Sequence, residues 1–218
     1  MYSPAAASVT VGCMKHFPAL FLRLTLLLAI CAMPIPGALA AEPVGSAARA
    51  EELIRLLQLK ELPKESGYLG IVGVSDQRVR VGGRQLAVQS QNYYMLTEQL
   101  PVNYLHWLEP DDTHILIEGG PVDYYIFHPD GRAEMVTLGM DLAKGERPIA
   151  TVPGGCWKAL RLRKGAKYAL MANALSPEFT PDRVQIGEGA DWVKRFAGTA
   201  PWATPEMLKY LIGPNWKQ

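Results

Sequence analysis

Between Leu105 and Gly131 the chain gathers His106, His114 and His128 with the adjacent carboxylates Asp111 and Asp112. An imidazole offers a lone pair to a metal or to a proton near neutral pH, and a carboxylate can co-ligate or orient it. The chemistry open to such a set is metal binding, acid–base catalysis, anchoring an organic ligand, or hydrogen bonding within a protein wall. Alternation along a strand over Tyr104–Leu108 puts Tyr104, His106 and Leu108 on one face, and alternation along the next puts Asp112, His114, Leu116 and Glu118 on one face. His106, Asp112 and His114 would then point into one interior. Two imidazoles and a carboxylate with open positions suit iron, manganese or zinc. The competing expectation is that these polar groups satisfy one another inside a barrel. His128 falls in a Pro-Asp-Gly turn and reads as solvated. Cys156 has no histidine near it in sequence and reads as an inert buried thiol.

The elements that must position these residues are mostly short strands. Ser46 can cap a helix running to about Lys60, with Leu53, Ile54, Leu56 and Leu57 as its apolar stripe. Tyr68 to Val74 begins a strand-rich body. Val79–Arg80 and Arg84–Val88 flank Gly82-Gly83 as a hairpin, and further strands follow at Asn92–Leu96, Val122–Phe127, Ala133–Leu138, Trp157–Leu162 and Tyr168–Ala174. Past Gly187 the pattern turns helical, with Trp192, Val193 and Phe196 on one face and a second helix capped by Thr204 and stopped by Gly213-Pro214. A helix, many antiparallel strands and terminal helices describe a closed all-β body with helical flanks.

The chain has 218 residues, within the reach of one domain. Lys and Arg number 22 against 21 Asp and Glu, for a net charge of +1, so no nucleic-acid partner is expected. Lys15, His16 and Arg23 precede an apolar run, Leu24 to Ile30, which is too short to span a bilayer and leads to Ala38-Leu39-Ala40. Residues 1–40 therefore read as a signal peptide, and the mature protein is expected in the periplasm or outside the cell, with no membrane association. Cleavage after Ala40 would leave Cys156 as the only cysteine.

The words LIRLLQL, SGY, YYMLT, LHWL followed by DD and EGGP, DGR, LGMDLAKGERP, VPGGCWKAL, YALMANALSPEF and PDRV resemble, in order, the cupin superfamily, and within it the small type 5 cupin domain family of unknown function. The resemblance covers Leu53 to Val184. It implies a double-stranded β-helix, or jelly roll, and a homodimer. The domain layout expected is a signal peptide at 1–40, a cupin domain at 46–187 and a helical extension at 188–218 packed on the barrel. Catalytic cupins hold a divalent metal through two histidines and a glutamate of a first motif and a histidine of a second. On this chain those positions fall on His106, Leu108, Asp112 and Lys158, so two of four ligands are missing, as is common in the small family. The family also places an aromatic residue where this chain has His114.

The expectation is thus an exported cupin that binds a small polar, sugar-like metabolite without the standard metal, using His106, Asp112, His114, Lys158 and Tyr104. One divalent transition metal on His106, Asp112 and His114 is the alternative cofactor. An isomerase or epimerase with His106 as base and Asp112 orienting it is the alternative activity. A third reading is an interaction module displaying Trp192, Phe196, Trp202 and Trp216.

Overall fold

The computed structural model describes residues 44–218. The expected signal peptide and its cleavage site lie outside the described residues. Ser46 accepts a hydrogen bond from the Arg49 amide and opens α1 (Ala47–Leu56), the cap expected of a serine at that position. The helix ends earlier than its apolar run, because the chain must turn at Gln58, with a φ of 53°, to bury Leu59. Leu56 consequently faces solvent rather than joining the stripe; Ala50 and Leu53 carry the buried face.

The strands follow as β1 (Lys60–Glu61), β2 (Tyr68–Val74), β3 (Arg78–Val81), β4 (Arg84–Ala87), β5 (Ser90–Thr97), β6 (Val102–Leu108) and β7 (Asp111–Gly119). After them come β8 (Val122–Phe127), β9 (Ala133–Leu138), β10 (Ile149–Val152), β11 (Trp157–Leu162), β12 (Tyr168–Ser176) and β13 (Val184–Ile186). The chain closes with α2 (Ala190–Phe196) and α3 (Pro205–Ile212). One sheet runs β1-β2-β5-β12-β7-β10 and the other β13-β6-β11-β8-β9, all their ladder pairs being antiparallel, while β3 and β4 form a separate hairpin. The interleaved strand order of two facing sheets is the jelly roll.

Burial explains the layering. Between the sheets, Leu96, Leu116, Tyr124, Ile126, Leu138, Leu160 and Met171 form the central core. The outer face of the first sheet is covered near Met95, Tyr168 and Leu170 by Ala50 and Leu53 of α1. The outer face of the second sheet is covered by α2 and α3, whose Trp192, Phe196, Leu208, Leu211 and Ile212 meet Leu105, Tyr125 and Phe127. Phe127 lies edge-on to Trp192, Phe196 and Trp202 at centroid distances of 4.7, 5.1 and 5.6 Å, the arrangement aromatic quadrupoles favour. Three of the four C-terminal aromatics are therefore packed on the barrel, and Trp216 is exposed.

Two β-bulges break the simple alternation. On β6, Lys158 pairs with His106 but Leu160 pairs with Asn103, so β6 carries one extra residue there. On β7, Leu170 pairs with Glu118 and Met171 with Leu116, which leaves Ile117 extra. A bulge reverses which face the following residues present. Glu118 accordingly lies outside, where it takes Arg49 of α1 at 2.9 Å and the Tyr168 hydroxyl, and it latches the helix to the sheet. At the turn after β7, Gly119 has a φ of 81°, and a Cβ there would stand 2.3 Å from the Tyr168 carbonyl oxygen. Only glycine fits both demands.

Candidate functional site

A cavity of about 320 Å³ opens between the first sheet and β6. Its floor is polar: Asn92 from β5, Asp112 and His114 from β7, Asn173 from β12, and Asn103 and His106 from β6. Its wall and mouth are mainly apolar, with Leu62, Leu69, Ile71, Val74, Leu108, Leu175 and Phe179, and Glu65 reaches in from the loop before β2. The β6 bulge is what brings Asn103 and His106, three residues apart, to the same side. Among the described residues no lysine or arginine lines this space.

Four of the floor residues, Asn92, Asn173, Asp112 and His114, form one connected hydrogen-bond network. The Asn92 amide donates to Asn173 Oδ1 at 3.1 Å. The Asn173 amide in turn donates to Asp112 Oδ1 and, at 2.7 Å, to His114 Nε2. Nε2 must then be the unprotonated nitrogen, so Nδ1 carries the hydrogen and donates to the Tyr124 hydroxyl at 2.6 Å, which donates onward to Met171 Sδ at 3.2 Å. Tyr94 stacks on the His114 ring at a centroid distance of 6.0 Å. Burial pushes the His114 imidazolium down to about 3, with His106 adding to the shift. The Asp112 carboxylate lies 3.6 Å from Nε2 and also engages Lys158. Lys158 is fully buried behind the floor with its ammonium on Asp112 Oδ2. Burial lowers its pKa, and Glu65 opposes.

His106 is tied differently. Its Nδ1 meets the Tyr104 carbonyl at 2.8 Å, and because a carbonyl only accepts, Nδ1 carries the proton. Nε2 then presents a lone pair beside Glu65 Oε2, 3.8 Å away. Burial lowers the His106 pKa, with Lys158 adding to this and Glu65 and the Tyr104 carbonyl opposing, so the ring is neutral at pH 7. Two acceptors, the His106 lone pair and the Glu65 carboxylate, therefore stand side by side at the cavity.

The family model for the Cupin superfamily (DUF985) matches residues 51–187. The chain belongs to this cupin family. It is 28% identical over 123 residues to an uncharacterized protein of Saccharomyces cerevisiae, a match that covers 54% of this chain and 61% of the yeast protein. It spans less than two thirds of that relative's length. Among solved structures, a hypothetical protein from Leishmania major superposes with a TM-score of 0.58 at 28% identity, covering 63% of this cupin and 86% of the other chain. A protein from Shewanella oneidensis superposes with the same TM-score, 0.58, at 26% identity over 75% and 94% of the two chains.

His106, Asp112 and His114 do share the cupin cavity, as alternation on their strands expects. Lys158 reaches the floor only through Asp112. Tyr104 lies elsewhere: the β6 bulge turns it to the outer face, where its ring closes on Gly213 at the end of α3. Asp112 does not orient His106, whose partner is the Tyr104 carbonyl. Glu65, Asn92, Asn103 and Asn173 complete the site and were not anticipated. Asn173 and Asn92 were readable as polar residues at inward positions of apolar strands, alternating with Met171, Leu175 and Tyr94. Glu65 sits in an irregular loop and Asn103 behind a bulge, so neither left a signal.

Outside the cavity, His128 is not solvated: its side chain is 12% exposed, with Nδ1 3.5 Å from Cys156 Sγ and Nε2 2.9 Å from Glu134. The chain of thiol, imidazole and carboxylate has the connectivity of an activated nucleophile. Burial, reinforced by Glu134 and Asp130, pushes the Cys156 thiol up, so the thiol and not the thiolate is its resting form. Among the described residues no three His, Cys, Asp or Glu side chains are grouped to hold a metal ion. No helix among them is long and apolar enough to cross a membrane.

Proposed function

We propose that this cupin binds a small polar-headed metabolite in the cavity between its sheets, sugar-like compounds among the candidates, without the metal of catalytic cupins. The observation that carries this reading is the cavity floor, where neutral His106 and the Asn92–Asn173–Asp112 network converge beneath apolar walls in a space of about 320 Å³, within the size range of small-molecule sites. The metal-free part rests on the donor set. Leu108 and Lys158 occupy two of the four cupin ligand positions, and the His114 Nε2 lone pair already accepts from Asn173. A metal there would have to displace that amide and sit beside the buried Lys158 ammonium.

A thermal-shift screen of polyols, amines and carboxylic acids tests the binding reading. One class is expected to raise the melting temperature of the wild type and to lose that effect in His106→Ala and Asn173→Ala. Equal shifts in all three proteins would place binding elsewhere. Elemental analysis of the purified protein is expected to find well under one transition metal per chain. About one per chain, lost in His114→Ala, would restore the metal reading.

The second activity worth testing is isomerisation, because His106 Nε2 faces the cavity as an available base. In that case solvent deuterium should enter a stabilising ligand in the presence of wild type and not of His106→Ala. The homodimer remains part of the proposal, since Ile115 and Ile149, paired across β7 and β10, stand 40% and 51% exposed with Ile117 beside them. Export rests on the pattern of residues 1–40.

A further inference from the structure

We infer that the cavity selects an amphipathic ligand whose head donates hydrogen bonds and carries no negative charge, an amine or a hydroxyl-rich group joined to an apolar tail. This rests on the binding reading above and specifies its ligand class.

The head follows from what the cavity presents. The Tyr104 carbonyl holds the hydrogen of His106 on Nδ1, so Nε2 is an acceptor, and the Glu65 carboxylate 3.8 Å away is an acceptor too. A group placed between them must supply hydrogens. An ammonium offers three and a hydroxyl one, whereas a carboxylate or phosphate dianion offers none. Charge agrees with this. The Asp112–Lys158 pair sums to zero whichever partner holds the proton, His106 is neutral, and no lysine or arginine lines the space among the described residues. Glu65 thus leaves one negative charge in excess at the cavity. An anionic ligand would be desolvated against it with no cation in compensation.

The tail follows from the mouth. Ile71, Val74 and Phe179 line the cavity, yet they are 80%, 51% and 40% exposed. The bulge between Ile71 and Gly73 on β2 helps set this rim. Large apolar side chains grouped around an opening mark a surface that binds. Together with Leu62 and Leu69 they offer an apolar path from the floor outward, which a compact polyol would leave uncovered.

Calorimetric titration of the intact protein with hexylamine, hexyl glucoside, hexanoate and methyl glucoside separates the elements of this inference. Hexylamine and hexyl glucoside are expected to bind, hexanoate about tenfold or more weaker than hexylamine, and methyl glucoside about tenfold or more weaker than hexyl glucoside. Glu65→Gln removes the charge and keeps the size. It is expected to shrink the preference for hexylamine over hexanoate to within about threefold, while Phe179→Ser weakens only the hexyl compounds. Hexanoate binding as tightly as hexylamine, or an amine preference unchanged in Glu65→Gln, would overturn the head assignment. Methyl glucoside binding as well as hexyl glucoside, with loss in Asn173→Ala, would overturn the tail assignment and leave the cavity reading standing. Silence from all four probes would overturn both.

Discussion

Asp112→Ala is expected to destabilise the folded protein by roughly 3–5 kcal/mol, the cost of leaving a buried charge without its partner. The reason is local. Asp112 is 3% exposed and Lys158 is 1% exposed, and Asp112 accepts from Lys158 and from Asn173. Removing it strands the Lys158 ammonium in the interior without the carboxylate it donates to. The pair itself contributes little beyond what apolar residues of the same volume would, because desolvating two charges nearly offsets their attraction. The double variant Asp112→Ala/Lys158→Met is therefore expected to recover most of the loss. Urea unfolding of the two variants checks this: a single-variant loss below about 1 kcal/mol, or a double variant no better than the single, would contradict a paired buried charge.

Acidification is expected to weaken the fold well before the surface carboxylates titrate. His114 has a folded-state pKa near 3 against an ordinary 6.5, because burial disfavours its imidazolium. Between those values the unfolded chain binds a proton that the folded one refuses, so stability is full above pH 6.5 and is lost as pH falls toward 3. Well inside the window the slope approaches about 1.4 kcal/mol per pH unit for this one residue, a total on the order of 4 kcal/mol. His106 shifts in the same direction and adds to the slope. The carboxylates Glu118 and Asp182, both lowered by arginine partners, contribute in the same sense once the pH falls into the ordinary carboxylate range. Urea midpoints at pH 6.5, 6.0 and 5.5 therefore isolate the histidines. His114→Gln keeps an amide in the network and is expected to flatten the curve, whereas an unchanged slope would mean that His114 is not the titrating group.

The barrel was largely legible because its signals are periodic. Strands β2, β5, β8, β9, β11 and β12 coincide with apolar runs bounded by turn residues, and the Gly82-Gly83 hairpin formed where its glycines, with φ of 55° and 80°, required it. The site was half legible. His106, Asp112 and His114 face the interior as strand alternation demands, but alternation fails at an inserted residue, and both errors of placement, Tyr104 and Glu118, lie at bulges. A bulge has no composition of its own in these strands. The neighbours that decide the chemistry are likewise non-local: Tyr104 fixes the tautomer of His106 through its carbonyl rather than its side chain, and Glu65 comes from a loop held by the Asn103 amide on its carbonyl at 3.1 Å. His128 shows the same limit, since nothing in its turn announces Cys156, which lies 28 residues on, just before β11.

A crystal structure of the protein with the probe that most raises its melting temperature tests the central claim most directly. The ligand is expected between the two sheets, its donor head within hydrogen-bonding distance of His106 Nε2 and Glu65 and its tail leaving past Ile71 and Phe179. Density for the ligand on the outer surface with the cavity holding only solvent, or a metal ion coordinated by His106 and His114 with Asn173 turned away, would contradict it.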